Sequence, residues 1–389
     1  MLKRILSVGM LEVLGMLIPI LVLPVLSHTL NERELADYLL ITTFIIVSQQ
    51  VIDYSFTYIC GRWDRQELED GFSAIVSAKI VLFLICITAS IPIIIFQIDM
   101  AGWAVCLAIW FGIISCFFSI SWYFSAINLY HTFQKFNFYI KFSLVIFASF
   151  VPAIFGFEIF ILLYYSTTMI ASFLLSALFL DKKLIVNCRL NLFAGWRTLV
   201  ENYHLFFADF VPQLYVTLPL IVFKNSWDYQ LYTAASIATR FYNAGMSVQW
   251  MILKLIIPSA KIFQKITILK MNIATLSLSL IYIFLAFFVA SYLIEFMFAS
   301  NAAAIVHYFQ MLSLGYIGAA LYVTNGYAMH ILLRTEHILK RDSFMIAIPA
   351  CIFVWSMCEY FSAYGFIVSL VCVRSLIGIH FTVSAFRKF

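Results

Sequence analysis

Long apolar segments, separated by short stretches of charged and turn-forming residues, follow one another along almost the whole chain. A helix of about 20 mainly apolar residues crosses the hydrocarbon core of a bilayer. Segments of this length predict about twelve such helices, over residues 5–27, 38–61, 71–97, 103–129, 138–156, 158–180, 205–224, 232–258, 272–298, 303–333, 343–361 and 363–384. The breaks near Gly156 and Ser362 have almost no loop. The pattern therefore predicts an all-α polytopic membrane protein with two six-helix lobes.

Lysine and arginine residues lie mostly on one side of these predicted helices. If the N-terminus is cytoplasmic, the predicted outer loops contain only Arg33 and Lys224, and the inner loops and termini hold most of the other basic residues. Cytoplasmic loops of membrane proteins are enriched in basic residues. The distribution therefore predicts that both termini are cytoplasmic and that the number of helices is even.

One predicted inner loop is longer than the others and runs from Asp181 to His204. Its Leu, Ile, Phe and Trp residues alternate with basic residues, as in an amphipathic helix on an anionic membrane surface. The loop separates an N-terminal lobe over 1–180 from a C-terminal lobe over 205–389, with an amphipathic cytoplasmic linker over 181–204. Both lobes begin with a helix containing two prolines, which suggests parallel repeats about an axis along the membrane normal.

Composition places the chain in a lipid environment. Hydrophobic residues make up 64% of the chain and charged residues 11%, against about 25% charged residues in soluble domains. A water-soluble fold of this size could not bury so much apolar surface. The eight cysteines include no CxxC pair and the seven histidines form no HExxH pattern. We therefore expect no disulfide framework, no metal site, no bound cofactor and no nucleic-acid partner.

Polar residues recur at helical spacing along the predicted helix over residues 232–258. They are Thr233, Ser236, Arg240, Asn243, Ser247 and Lys254. Steps of three, four and seven residues place these side chains on one face of an α-helix. A lipid-facing guanidinium is energetically costly, so the face that carries Arg240 is expected to turn toward a bundle interior or a water-filled cavity. Lys254, near the inner end, can instead extend its side chain to the membrane surface.

Other predicted helices also carry charged residues. The acidic ones are Glu12, Asp53 and Asp209, and the basic ones are Lys79 and Arg374. A transporter with a charged central cavity explains these residues together, because intramembrane charges usually face a cavity or one another. The alternative interpretation is that they form buried ion pairs that hold helices together, and the sequence leaves both interpretations open.

Five stretches resemble motifs of a known family of transporters. They are "LIPILVLPVLSHTLNERELADYLL", "VIDYSFTYICGRW", "SWYFSAINLYHTFQKFNF", "LYTAASIATRFYNAG" and "LIIPSAKIF". With them the chain resembles Wzx-type O-antigen flippases, in the polysaccharide-export group of the multidrug/oligosaccharidyl-lipid/polysaccharide flippase superfamily. The chain departs from the motifs at Ser55, and at Ser125 or Ala126, where glycine is usual.

The resemblance implies a MATE-like fold and a specific activity. Such proteins move an undecaprenyl-diphosphate-linked oligosaccharide from the inner to the outer leaflet of the bacterial inner membrane. The sugar and the diphosphate pass through a cavity between two lobes by alternating access, and a proton or sodium gradient drives the cycle. The resemblance also implies contact with membrane lipid, an O-antigen polymerase and a chain-length regulator.

A diphosphate in a low-dielectric cavity requires cationic partners, and arginine binds phosphate through two hydrogen bonds. We therefore expect Arg240 to be the main anchor for the diphosphate. Further contacts to the diphosphate or the sugar are expected from Lys79, Arg374, Lys254 and Asn243. The candidates for the ion-coupling carboxylate are Glu12, Asp53 and Asp209, since burial raises the pKa of a carboxyl group.

Other functions stay open. A cation-coupled multidrug exporter of the same superfamily would share the fold, although cationic drugs favour an acidic cavity. A membrane-embedded O-antigen polymerase or glycosyltransferase would require a large outer loop, or acids and histidines clustered at one leaflet, and the sequence has neither pattern. A lipid II flippase is closely related but often carries extra C-terminal helices. We therefore expect a transporter and not an enzyme.

Overall fold

The structure is a computed structural model of the 389-residue chain. It describes residues 15, 18–60, 63, 65–99, 102–127, 129–256, 265–298, 301–332 and 335–388. Within these ranges every regular element is helical, and the first helix, α1, spans Ile18–Thr29. The fold consists of two compact units: the N-unit, Thr29–Phe210, and the C-unit, which contains the described residues of 1–28 and 211–389.

The N-unit contains nine helices among its described residues. They are α2 Glu32–Asp53, α3 Phe56–Cys60, α4 Arg65–Phe96, α5 Trp103–Phe117, α6 Ser121–Ala126, α7 Tyr130–Phe155, α8 Phe157–Phe179, α9 Lys182–Val186 and α10 Leu192–Phe210. Helix α2 begins at a capping box, in which Asn31 and Glu34 exchange side-chain and backbone hydrogen bonds. It is largely buried and packs against α4 and α5, and α5 packs in turn against α8.

The C-unit contains α1, eight further α-helices and one π-helix among its described residues. These are α11 Gln213–Val216, α12 Leu218–Val222, α13 Tyr229–Ile256, α14 Lys265–Phe288, α15 Ala290–Met297, α16 Ala302–Leu321, the π-helix Tyr322–Ala328, α17 Met329–Leu332 and α18 Glu336–Lys388. Helix α16 packs against α13, α14 and α18. Two glycines face each other where α16 crosses α18, because a Cβ at Gly378 would lie 2.8 Å from Gly318 Cα. Small residues allow membrane helices to approach this closely.

Polar side chains join three elements of the C-unit. Asn272 Nδ2 of α14 donates to Asn325 Oδ1 of the π-helix at 2.8 Å, and Asn325 Nδ2 donates to Thr382 Oγ1 of α18 at 3.0 Å. Thr324 Oγ1 of the π-helix donates to Asn272 Oδ1. Hydrogen bonds between membrane helices contribute about 0.6–2 kcal/mol each. These hydrogen bonds, which we call the amide ladder, therefore stabilise the contact of α14 and α18 with the π-helix.

Seven segments of the described chain are long and apolar enough to cross a membrane, so the protein is a multi-pass membrane protein. Two of these segments, Thr132–Phe179 and His337–Ala385, have 48 and 49 residues, about twice what one crossing requires. Each is interrupted at a residue with positive φ, at Gly156 (79°) and Ser362 (53°). The interruptions coincide with the two shortest breaks in the sequence pattern. The total of twelve helices and the cytoplasmic termini stay predictions.

Two predicted helices are not continuous in the structure. In place of one helix over 205–224, the chain forms the end of α10, then α11 and α12. Pro212 precedes α11 and Pro219 lies in the first turn of α12, and proline lacks the N–H group that a continuing helix requires. The predicted helix over 103–129 is likewise divided into α5 and α6. Both segments therefore contain helix breaks, although their sequence is mainly apolar.

The predicted linker over 181–204 forms α9 and the first part of α10, and α10 packs along α4 inside the N-unit. The backbone N–H of Asn191 donates to Ser77 Oγ at 3.0 Å. A Cβ at Gly195 would lie 2.6 Å from backbone atoms of α4, so only glycine permits this approach. On another side of α10, Phe193 and Trp196 are exposed. An apolar face of this kind suits a membrane surface, and the location of the linker on that surface stays a prediction.

The two interruptions differ in the residue that forms them. Ser362 has φ 53° and ψ −142°, and residues other than glycine adopt such backbone angles at a cost of about 1–3 kcal/mol. Gly156 forms the corresponding interruption between α7 and α8, and a Cβ there would meet no atom within 4 Å. We therefore expect Ser362→Gly to raise the melting temperature of the purified protein, by about 2–4 °C for each kcal/mol of strain released.

Gly156→Ser is the reciprocal change and should lower the melting temperature through backbone strain alone, because the added side chain meets open space. Thermal unfolding of the two variants in detergent, next to the unmodified protein, measures both effects. A lower melting temperature for Ser362→Gly, or an unchanged one for Gly156→Ser, would contradict the strain argument.

Candidate functional site

The polar stripe predicted from the sequence lies on α13. Thr233 and Ser236 are 3% and 1% exposed, and their hydroxyl groups have no hydrogen-bond partner among the described residues. Arg240 is half-buried and Asn243 is exposed. Ser247 follows, half-buried, and its hydroxyl donates to the Asn243 carbonyl at 2.8 Å. The stripe therefore runs from the packed interior of the C-unit to its accessible surface, where α13 presents a guanidinium and a carboxamide about one turn apart.

Arg374 lies in the part of α18 that follows Ser362 and is half-buried. Three tyrosines from other elements interact with it electrostatically: Tyr215 of α11, Tyr242 of α13 and Tyr322 of the π-helix. In the part of the chain that the structure describes, no carboxylate lies within ion-pair distance of this guanidinium. An intramembrane charge is costly unless it has a partner or faces a polar cavity. Arg374 is thus a cation whose counter-charge the described residues do not supply.

Tyr242 places a hydroxyl group close to Arg374. The tyrosine is 2% exposed, and its hydroxyl has no hydrogen-bond partner among the described side chains and backbone. Its ring stacks on Tyr316 with centroids 4.6 Å apart, and Tyr316 Oη donates to the Tyr242 carbonyl at 3.1 Å. A Cβ at Gly315 would lie 3.3 Å from Tyr242 Oη and 3.8 Å from Arg374 Cβ. Tyr242 Oη and Arg374 Cβ therefore lie beside the same glycine, and phenol and guanidinium groups both donate hydrogen bonds to anions.

A second group of charges lies in the N-unit. Lys79 of α4 is 3% exposed, and its Nζ donates to the Ser119 carbonyl at 2.6 Å. Asp53, at the end of α2, is half-buried and accepts from Ser121 Oγ at 3.2 and 3.3 Å. Lys79 and Asp53 attract each other electrostatically. Each charge thus has a hydrogen bond within its own unit and an opposite charge nearby, but the two side chains form no direct ion pair in the described part of the chain.

The site residues predicted from the sequence are distributed over both units. The N-unit contains Asp53, Lys79 and Asp209, and the C-unit contains Arg240, Asn243, Lys254 and Arg374. Asp209 lies on α10 and Lys254 on α13, but their side chains are outside the described part of the chain, as is the whole of Glu12. Their roles in binding and ion coupling therefore stay predictions.

Arg240 projects from one side of α13, and Arg374 interacts with another side of the same helix. Arg374 interacts electrostatically with Tyr242 of α13, which is two positions after Arg240. Side chains two positions apart leave an α-helix about 200° from each other. Arg240 and Arg374 therefore relate to different sides of α13, and the C-unit offers two separate guanidinium groups.

Sequence reasoning missed the tyrosines around Arg374 and the serines around Asp53 and Lys79. The chain has 21 tyrosines, and none of those near Arg374 belongs to the polar stripe. Tyr242 lies in "LYTAASIATRFYNAG", one of the five stretches on which the resemblance rests, and this was a signal for that position. Ser121 begins one of the five stretches on which the resemblance rests, and this was a signal that the position has a specific role. Only the fold brings these residues together, because they come from distant parts of the chain.

Comparisons with known proteins relate the chain to membrane transporters through its fold. No protein-family model matches the chain, and no curated protein matches it by sequence. The solved structure of "Lipid II flippase MurJ, inward closed conformation" superimposes with a TM-score of 0.75 at 13% identity, over 100% of this chain and 88% of the other. An inward-facing multidrug resistance MATE family transporter of the MOP superfamily gives 0.66 at 11% identity, over 99% and 97%.

A third structure is a MOP superfamily transporter from Pyrococcus furiosus, described as having a binding pocket of reverse polarity that suggests a different function. Its TM-score is 0.51 at 12% identity, over 99% of this chain and 95% of the other. At identities this low the likeness concerns the fold and not the activity. The chain therefore has the fold of MOP superfamily transporters, which confirms the MATE-like architecture that the sequence predicts.

Proposed function

We propose that the protein is a flippase that carries an undecaprenyl-diphosphate-linked oligosaccharide, of the O-antigen class, across the bacterial inner membrane by alternating access. The observation that carries this proposal is the environment of Arg374. The guanidinium is half-buried within the membrane-spanning part of α18, and the described chain supplies no carboxylate for it. A site with an uncompensated cation favours an anionic ligand.

The chemistry around Arg374 suits a phosphorylated sugar lipid. Arginine donates two parallel hydrogen bonds to a phosphate group, and the Tyr242 hydroxyl can donate a third to the same anion. Arg240 and Asn243, on the accessible part of α13, add a second cation and a carboxamide for the diphosphate or the sugar.

The other predicted residues are expected to contribute unequally to substrate binding and ion coupling. Lys79 already donates to the Ser119 carbonyl and is attracted by Asp53 within the N-unit, so we expect its contribution to diphosphate binding to be small. Lys254 stays a candidate contact near the inner end of α13. Coupling to a proton or sodium gradient through Glu12 or Asp209 is part of the proposal, as are the O-antigen polymerase and the chain-length regulator as partners.

A multidrug exporter is the alternative that the fold leaves open, because MATE family transporters share it. Cationic drugs require a carboxylate in the binding site, whereas the described site around Arg374 is cationic. The solved flippase structure is described as one for lipid II, and a lipid-linked substrate for the present chain agrees with that description by analogy of fold alone.

The proposal can be tested by reconstituting the full-length protein into liposomes that contain a polyprenyl-diphosphate-linked oligosaccharide with a fluorophore on the sugar. A membrane-impermeant quencher then reports how fast the lipid of the inner leaflet reaches the outer surface. We expect the protein to accelerate quenching of this lipid but not of a neutral polyprenyl glycoside with the same sugar. Gradient-driven efflux of ethidium from the same liposomes, with no acceleration for the diphosphate lipid, would instead establish drug export.

A further inference from the structure

Two interrupted helices meet within the N-unit. Helix α2 ends at Asp53, and Tyr54 and Ser55 adopt φ values of 43° and 59° before α3 begins. Ser55 stands where the resembled flippase motif has glycine, the residue that adopts positive φ most easily. Helices α5 and α6 are separated by residues 118–120, and α6 packs against α3. The two interruptions are therefore neighbours: the first directly follows the candidate membrane span Glu32–Asp53, and the second lies inside the candidate span Trp103–Ala126.

Side chains from other helices satisfy the carbonyl groups that the α5–α6 interruption leaves free. Lys79 Nζ of α4 donates to the Ser119 carbonyl at 2.6 Å, and Ser176 Oγ of α8 donates to the Phe118 carbonyl at 2.6 Å. An unsatisfied backbone group in hydrocarbon costs several kcal/mol. These two contacts explain why an interruption inside an apolar segment is stable, and one of the two donors is a full positive charge.

Oxygen-containing side chains connect the α2–α3 interruption to α6. Ser121 Oγ donates to the Asp53 carboxylate, and the Thr57 and Ser121 hydroxyls lie 3.1 Å apart in a hydrogen bond. Asp53 and Lys79 attract each other. The Phe117 ring centroid lies 6.0 Å from Lys79 Nζ, and the Cys60 and Cys116 thiols are also close enough to interact with the ammonium electrostatically. The ammonium thus donates to a freed carbonyl and is attracted by a carboxylate, and that carboxylate belongs to a chain of hydrogen bonds with two hydroxyls.

We propose that Lys79 is a tethered cation in a place where the same oxygen groups would otherwise bind a sodium ion. Carbonyl groups freed by unwound membrane helices, together with nearby polar groups, coordinate sodium in carriers built on broken helices. The Lys79 ammonium supplies the same charge and donates to the same kind of oxygen, and it cannot dissociate. The N-unit therefore requires no bound sodium at this place, and Asp53 is not the ion-coupling carboxylate.

The test is thermal unfolding of the purified full-length protein in detergent, in sodium chloride and in choline chloride of equal ionic strength. We expect the melting temperature of the unmodified protein to be the same in both salts. Lys79→Ala should melt several degrees lower in choline, because a buried carboxylate loses its partner, and sodium should restore part of the loss. Lys79→Ala combined with Asp53→Asn should show no sodium effect. Lys183→Ala, at an exposed lysine of α9, is the matched control without change.

Two results would overturn the inference. One is a sodium-dependent melting temperature of the unmodified protein that disappears in Asp53→Asn, since the site would then bind the ion itself. The other is a Lys79→Ala protein that sodium does not rescue. If Lys79→Ala does not fold, the unmodified protein and Asp53→Asn still decide the question, because equal melting temperatures in the two salts support a tethered cation. These measurements require no substrate, so their outcome is independent of the proposed function.

Discussion

Arg374→Gln is expected to reduce translocation of the diphosphate-linked lipid by about 10- to 100-fold while the protein remains inserted and folded. Hydrogen bonds to charged groups contribute about 1.5–3 kcal/mol, and about 1.4 kcal/mol corresponds to a factor of ten. Glutamine keeps a polar side chain of similar length but removes the charge and the paired donors. Stability should change little, because no described carboxylate depends on Arg374 for its counter-charge. The quenching rate in proteoliposomes measures the effect.

Arg374→Lys and Arg341→Gln are the matched controls for this experiment. Lysine retains the charge without the two parallel donors, so its rate should fall between those of the unmodified protein and Arg374→Gln. Arg341 lies on the same helix α18, is largely exposed and pairs with Asp342 at 3.0 Å, and its replacement should leave the rate unchanged. An unchanged rate for Arg374→Gln, or an equal loss for Arg341→Gln, would remove Arg374 from the binding role. Arg240→Gln in the same assay compares the two guanidinium groups.

Gly318→Val is expected to cause the largest loss of stability. A Cβ at Gly318 would lie 2.6 Å from the Arg374 carbonyl carbon and 2.7 Å from Ser375 Cα. These are backbone atoms of α18, so relief of the overlap requires α16 and α18 to separate. Overpacking typically costs about 1–3 kcal/mol and more where backbone must move, out of a total stability of about 5–15 kcal/mol. The yield of monodisperse protein and its melting temperature should both fall sharply.

Gly315→Ala provides the comparison on the same helix, three residues earlier. The nearest atom to its new Cβ would be Tyr242 Oη at 3.3 Å, the end of a side chain, which can move by a few tenths of an ångström. A melting temperature close to that of the unmodified protein is therefore expected. If Gly318→Val were as stable as Gly315→Ala, the close approach of α16 and α18 would be wrong.

The membrane helices can be predicted from the sequence because a bilayer imposes nearly the same length on every crossing. The interruptions at Gly156 and Ser362 follow from the same constraint, since 48 or 49 apolar residues exceed one crossing. The interruption between α5 and α6 does not follow, because residues 118–120 are largely apolar like their neighbours. A change in backbone direction leaves hydropathy almost unaltered when distant side chains, here Lys79 and Ser176, satisfy the freed carbonyl groups.

The candidate site is less accessible to sequence reasoning than the fold. Periodicity identifies Arg240 and Asn243, because their partners in the pattern lie on the same helix. It cannot show that Tyr242, on another side of α13, belongs with Arg374, more than a hundred residues later in the chain. Nor can it distinguish a compensated lysine such as Lys79 from an uncompensated arginine, since that difference depends on which acids the folded chain brings near.

The amide ladder of the C-unit restricts how α14, the π-helix and α18 can move. Asn325 donates to Thr382 and accepts from Asn272 at the same time, so sliding either neighbour by one residue would break a contact that lipid cannot replace. Rotation of the three elements as one body keeps every contact. In a conformational change of the C-unit these three elements would therefore move as one rigid body, and bending would be confined to segments outside them.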